Sequence, residues 1–264
     1  MRKVPFLLAS ILLSIPGQAA DRVNIAEDEA SHSAYNNGWN QDQNSGSGFG
    51  AWVLRSKAGT GEYTHSGFFI AGANDDNRIA NIASGGKAFG LFANGVELEA
   101  AVAFRTLNTP LQVGDSFSVL LKCEDFLPKF ENDDPQPGAI GFALRNGANA
   151  ESWDEYQAGA RMQFGFYQGD ANYQIQDGEP DTDTGVPMTP AGIAVTVTLV
   201  TPDTYDLEIT PLDTRETKRL TGRRLGGDAG TTIDSFALFN VDGESRDAFF
   251  NGLQVSRSGE AIGR

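Results

Sequence analysis

The chain has 264 residues, a formal net charge of −15 and a single cysteine. That length buries a full core without covalent staples, and one thiol excludes both an internal disulfide and a zinc site built on cysteine pairs. With 35 acids against 20 basic residues, the surface repels phosphate backbones and anionic lipid, which argues against nucleic acid or a membrane as partner.

The chain opens on a secretory signal pattern. Arg2 and Lys3 give a positive start, Val4 to Ile15 form an apolar run too short to span a bilayer, and Pro16-Gly17-Gln18-Ala19-Ala20 supplies a small-residue exit. The alternative reading of the same pattern is an anchor that is never cleaved. Residues 1–20 are expected to be a signal peptide cut after Ala19 or Ala20. Residues 21–264 are expected to form one secreted or periplasmic domain, since no second apolar run follows. Cleavage removes two cations and no acid, taking the formal charge from −15 to −17.

After the signal, helical 3.6-residue periodicity is hard to find. Short β-favouring segments recur instead, bounded by Asn-Gly, Asp-Gly, Gly-Gly and proline turns. Strands are expected near 49–55, 65–71, 87–93, 97–105, 115–122, 138–145, 160–168, 172–176, 192–200, 204–210, 214–221, 233–240 and 247–256. Alternation is cleanest where Val195, Val197 and Leu199 share one face, followed by Tyr205, Leu207 and Ile209 in the next segment. Cys123 falls in phase with Phe117, Val119 and Leu121, as a buried inert thiol would. Three segments echo one another: Ala88–Gly95, Gly141–Gly147 and Phe236–Gly243. Each mixes bulky and small residues before a turn that wants positive φ, as central strands of a curved sandwich do. The fold expected is all-β, a two-sheet antiparallel sandwich of the jelly-roll kind.

Candidate chemistry is thin. In Glu151-Ser152-Trp153-Asp154-Glu155 the acids are spaced three and one apart, so a regular strand cannot aim them all one way, as a glycosidase pair requires. His32 and His65 are the only histidines, and neither completes a nucleophile–base arrangement. Strand phase puts Arg161, Gln163 and Tyr167 on one face, a geometry open to a lyase with a tyrosine base and equally to a plain solvent-facing strand. Acidic clusters around Asp75 and Asp76, Asp133 and Asp134, and Asp181 and Asp183 are rich in the oxygen ligands calcium prefers. Taken singly each reads as a solvated loop; together they suggest a structural calcium. Trp39, Trp52, Trp153, Tyr156 and Tyr173 are candidates for stacking on sugar rings. Trp52 reads better as core, whereas Trp153 and Tyr156 sit in a polar loop setting. The stretch Arg215, Lys218, Arg219, Arg223 and Arg224 reads as an edge strand protected by charge, or as an electropositive ridge for an acidic polysaccharide.

The segment Tyr35-Asn36-Asn37-Gly38-Trp39 followed by Gly46-Ser47-Gly48-Phe49-Gly50-Ala51-Trp52 resembles the opening of a family of exported bacterial proteins of unassigned function. In that family a Tyr–Gly–Trp element precedes a "GxGFGxW" strand. The resemblance continues through Ser66–Ala71, Gly86–Leu91 and Asn172–Gly178, and closes at Ala248–Val255, which looks like the last strand of a concanavalin-A-like sandwich. It implies the sandwich of lectins and glucanases. Many relatives end in a sorting anchor of the PEP-CTERM kind, and the end Ser258–Arg264 lacks that pattern, which implies release from the surface. The function expected is a secreted, non-enzymatic binding or matrix-type protein that meets polysaccharide. The alternatives are a polysaccharide-active enzyme, lyase before hydrolase, and a purely structural extracellular protein.

Overall fold

In the computed structural model, which describes residues 22–57, 65–94, 99–123, 138–150, 153–243 and 246–258, period-two alternation becomes fifteen strands. They are β1 (Arg22–Asp28), β2 (Phe49–Lys57), β3 (Ser66–Ala71), β4 (Ala88–Ala93), β5 (Ala100–Leu107), β6 (Ser116–Cys123), β7 (Ala139–Arg145) and β8 (Ala160–Tyr167). The rest are β9 (Asn172–Gln176), β10 (Thr182–Pro187), β11 (Ile193–Thr201), β12 (Thr204–Pro211), β13 (Lys218–Arg224), β14 (Ser235–Val241) and β15 (Ala248–Ser258). Two short α-helices interrupt them, α1 (Asp76–Ile79) and α2 (Trp153–Gly159).

The strands form two sheets in which the paired strands run antiparallel. The eight-stranded sheet has the order β13-β12-β11-β6-β15-β4-β3, with β1 also on β15; the seven-stranded sheet has the order β10-β9-β8-β7-β14-β5-β2. β4 and β1 share one edge of β15 in succession, β4 pairing with Ala248–Phe250 and β1 with Leu253–Ser258. One set of alternate side chains from each sheet meets in the main core, with Phe117, Val195, Val197 and Leu207 facing Phe142, Phe164, Ile175 and Phe236. This is the packing of a β-sandwich. Of the three echoing segments, β7 and β14 pair at the centre of the seven-stranded sheet, and β4 lies one strand in from an edge of the other. Cys123 is buried in the core.

The opening segment is core, and it is wired by polar contacts. Trp52 is fully buried on β2 and donates Nε1–H to the Tyr35 hydroxyl at 2.9 Å. Tyr35 donates in turn to Asp28 Oδ2 at 2.5 Å. The Arg105 guanidinium on β5 also reaches Asp28 Oδ2, and it gives its other donors to Gly50 O, Asn44 Oδ1 and Ser45 O. It lies 4.7 Å from the Trp52 ring centroid and 5.0 Å from that of Phe49. Trp39 closes the cluster edge-on to Trp52 at 4.9 Å. Gly48 is required here: at φ +72 a Cβ would collide with the Ile25 carbonyl and Ala26 of β1. The Tyr–Gly–Trp and glycine-rich motif is thus a packing device.

Several expectations change. β1 precedes the first strand expected from the sequence, because among its residues only Ala26 and Asp28 are buried, with Ile25 half-buried against the core. β10 escapes detection since it is polar, contains Gly185 and ends on Pro187, features confined to sheet edges. Both helices are too short to show periodicity. Arg215 lies before β13 at φ +61, so it does not share a strand face with Arg219. β13 is a sheet edge. Along it Arg219 pairs with Glu208, while Arg223 grips Asp177 through Nε at 2.7 Å and Nη2 at 2.8 Å.

Candidate functional site

Cross-strand register defines the outer face of the seven-stranded sheet. One row runs Val53, Phe104, Ala237, Ala143, Gln163, Gln176, and the next runs Arg55, Val102, Phe239, Gly141, Gly165, Gln174, Asp183. The first row passes from apolar residues over β5, β14 and β7 to the amides of β8 and β9, and the second passes through glycines to the Gln174 amide on β9 and the Asp183 carboxylate on β10. The apolar part is a second buried cluster holding Val102, Phe104, Ala237, Phe239 and Tyr156. The Tyr156 ring, carried by α2, stands edge-on to Phe104 and Phe239, and the buried Arg145 lies 4.4 Å from its centroid. Arg145 Nη1 also donates to the Tyr156 carbonyl at 2.5 Å, which fixes α2 over the sheet.

From Tyr156 a chain of hydrogen bonds leads outward. The Tyr156 hydroxyl donates to Gln163 Oε1 at 3.0 Å, and Gln163 Nε2 donates to Tyr167 Oη at 2.5 Å and Gln176 Oε1 at 3.1 Å. Gln163 is buried, whereas Tyr167, Asn172, Gln174 and Gln176 are half-buried at the surface. Burial pushes the Tyr156 and Tyr167 hydroxyls up, and Asp181 and Asp170 add repulsion at Tyr167. Both phenols therefore stay protonated at neutral pH. Asp170 is itself raised by burial and by Asp183. Asp183 lies low because the Gly185 N–H and the Asn172 amide donate to it.

The sequence candidates divide. Gln163, Tyr167 and Tyr156 come together, but the Tyr156 ring is buried and offers no face to a sugar. Arg161 does not join them. The register slips between Arg145↔Ala160 and Leu144↔Met162, which makes Arg161 the extra residue of a bulge. Its guanidinium turns to Gly226 O at 2.5 Å, Asp228 O at 2.7 Å and Asp203 Oδ1 at 3.1 Å. The Tyr–Arg–Gln geometry of a lyase is not assembled. Trp153 begins α2, in a helix where a polar loop was expected, and its side chain is outside the described part of the structure. Trp39 and Tyr173 are core residues, so neither can stack on a ligand.

Among the calcium candidates, Asp75 pairs with Arg78 at 3.0 Å, which also binds Asp247. Asp76 opens α1, with its side chain undescribed, and Asp133 and Asp134 lie outside the described residues. Asp181 and Asp183 flank Thr182 at the β9–β10 edge. Among the described residues no three His, Cys, Asp or Glu side chains converge as metal ligands. Gln174 and Gln176 were missed, although period two in Asn172-Tyr173-Gln174-Ile175-Gln176 was the signal: Tyr173 and Ile175 face the core and the amides face out.

No protein-family model matches this chain, and no curated protein sequence does. Solved structures do match in fold. A carbohydrate esterase from the Shiga toxin-encoding bacteriophage phi24B superposes with a TM-score of 0.52 at 11% identity, covering 90% of this chain and 100% of that one. The legume lectin-like domain from Entamoeba histolytica gives 0.42 at 10% identity, over 73% of this chain and 90% of that one. The exoplasmic domain of VIP36, with Ca2+ and Man3GlcNAc bound, gives 0.42 at 9%, over 81% and 85%. At such identities the likeness is one of fold. The chain is a two-sheet antiparallel β-sandwich. Among the described residues no helix is long and apolar enough to cross a membrane.

Proposed function

We propose that the protein is a secreted, non-enzymatic polysaccharide-binding protein, which takes a neutral glycan across the outer face of β8 and β9. One observation carries the reading: the hydrogen-bonded chain Tyr156–Gln163–Tyr167, branching to Gln176, leads from a buried anchor to a half-exposed amide and a half-exposed phenol. Uncharged planar donors and acceptors held rigid from below match the hydroxyls of a sugar, and each lost bond leaves a polar group unpaired. The phage esterase of like fold also meets carbohydrate, the ligand class proposed here. Arg161 is turned away from Gln163 and Tyr167, which favours binding over the lyase alternative. A glycan array read with the wild type and with Gln163→Ala tests the idea. The wild type should retain neutral glycans that the variant releases. Equal binding by the two, or product formed from any glycan on the array, would sink it.

A further inference from the structure

A groove on the opposite face of the molecule has a different chemistry. It crosses the outside of the eight-stranded sheet beside the turn that follows β1, with a volume of about 470 Å³, within the ordinary range of small-ligand sites. Its floor is shaped by a bulge in β15. The register slips between Asn251 and Gln254, and Gly252 sits at φ +57 with a Cβ position only 3.3 Å from Leu120, so a side chain there would fill the space. Leu120 and Ala194 give the floor an apolar patch, and beside it Ser118 and Thr196 pair their hydroxyls at 2.9 Å.

The wall is acidic and held in place. His32 Nδ1 is 2.8 Å from Asp28 Oδ1. That carboxylate is an acceptor already engaged by the Glu29 N–H, Tyr35 and Arg105, so the ring donates to it through Nδ1. The His32 side chain is 34% exposed. Glu29 accepts from Ser31 Oγ at 2.8 Å and Ser84 Oγ at 2.5 Å. Those two serine hydroxyls hold its carboxyl below the usual range, and it remains an oriented anion. Glu27 completes the rim, and the lining contains no lysine or arginine.

We propose that this groove is a second ligand site, which takes a sugar unit bearing a free amino group. The ammonium would donate to Glu29 and a ring hydroxyl to His32 Nε2, while the apolar C–H face lies on Leu120 and Ala194. Acceptors without a cation select a donor-rich cation, and no set of three ligands among the described residues suits a bare metal ion.

The test titrates the full mature chain, by calorimetry, with the glucosamine dimer carrying two free amines and with its diacetylated, neutral counterpart. In the Gln163→Ala background, which silences the site on β8 and β9, the amine dimer should bind and the acetylated one should not. Glu29→Gln should weaken binding about tenfold, as loss of a charge-assisted bond does, and His32→Gln should weaken it less. Gly252→Val should abolish binding, and if it fails to fold, Ser118→Leu blocks the same floor without straining the bulge. Gln163→Ala should leave this binding unchanged, which separates the groove from the site on β8 and β9. Equal affinity for the two dimers, or no binding of either, overturns the proposal. So does undiminished binding by folded Glu29→Gln, which would mark general attraction of a cation to an acidic surface.

Discussion

Arg105 and Gln163 belong to the same sheet and each stands in a chain of aromatic and polar side chains, but the two chains end differently. Around Arg105 the described donors of the guanidinium all find acceptors inside the protein, both ring neighbours are buried, and Asp28 is shared with Tyr35 and His32. Around Gln163 the bonds run toward solvent and finish on Tyr167 and Gln176, which are half-exposed. A polar network saturated by its own protein contributes to specifying the fold, and removing one member strands the others. A network with capacity left at the surface contributes little to stability and is available to a ligand.

The sharpest way to break that contrast is Arg105→Met, which leaves the Asp28 carboxylate buried without its cation. A loss of about 3–5 kcal/mol in urea unfolding is expected, and a loss near zero would show that the cluster is not closed. Trp52→Ala should fall slightly behind or beside it, costing about 3–5 kcal/mol as a core truncation that also unties Tyr35. Gln176→Ala belongs to the open network. It should change unfolding by no more than about 0.5 kcal/mol while weakening the retained glycan measurably in titration, and a large stability loss would move Gln163's chain into the closed class.

Acid acts on a third place, Asp115, which belongs to neither network. Burial raises Asp115, but the Arg257 guanidinium and the Gln112 N–H outweigh it and leave the carboxyl low. A carboxyl lower in the folded than the unfolded chain stabilises above the unfolded value, about 3.9, and that stabilisation is lost as pH falls through the folded value. Melting should therefore hold steady down to about pH 5 and decline below about pH 4. Arg257→Gln should flatten that decline only modestly, because the Arg257 side chain is 42% exposed and screened by water. The smallest effect expected is that of calcium. Asp170, Asp181 and Asp183 crowd one edge, so millimolar calcium should raise the melting temperature slightly by mass action. Coincident curves in calcium and in chelator, at matched ionic strength, would remove calcium from the account.

Most strands were legible because their burial is one-sided. In Val195–Thr196–Val197–Thr198–Leu199 the alternate residues face the core, and the sequence shows it without help. The core role of Trp52 could be read the same way. β1 was hidden because it pairs through backbone at the rim and shows little apolar period. The candidate site was half visible: Gln163 and Tyr167 follow from strand phase, while Gln176 joins them only because β9 pairs with β8 in that register.

Composition and period two thus determined an acidic chain of strands packed as a sandwich, since those properties are local or additive along the sequence. Tertiary structure alone decided which polar residues are closed in and which stay open. Arg161 left its expected face because one extra residue in a bulge re-aims a side chain. His32 meets the Asp28 carboxylate only four residues away, but the pair walls a groove because β1 lies against β15, which lines it. Contacts between residues distant in sequence depend on register and bulges, and a single slipped residue reverses them.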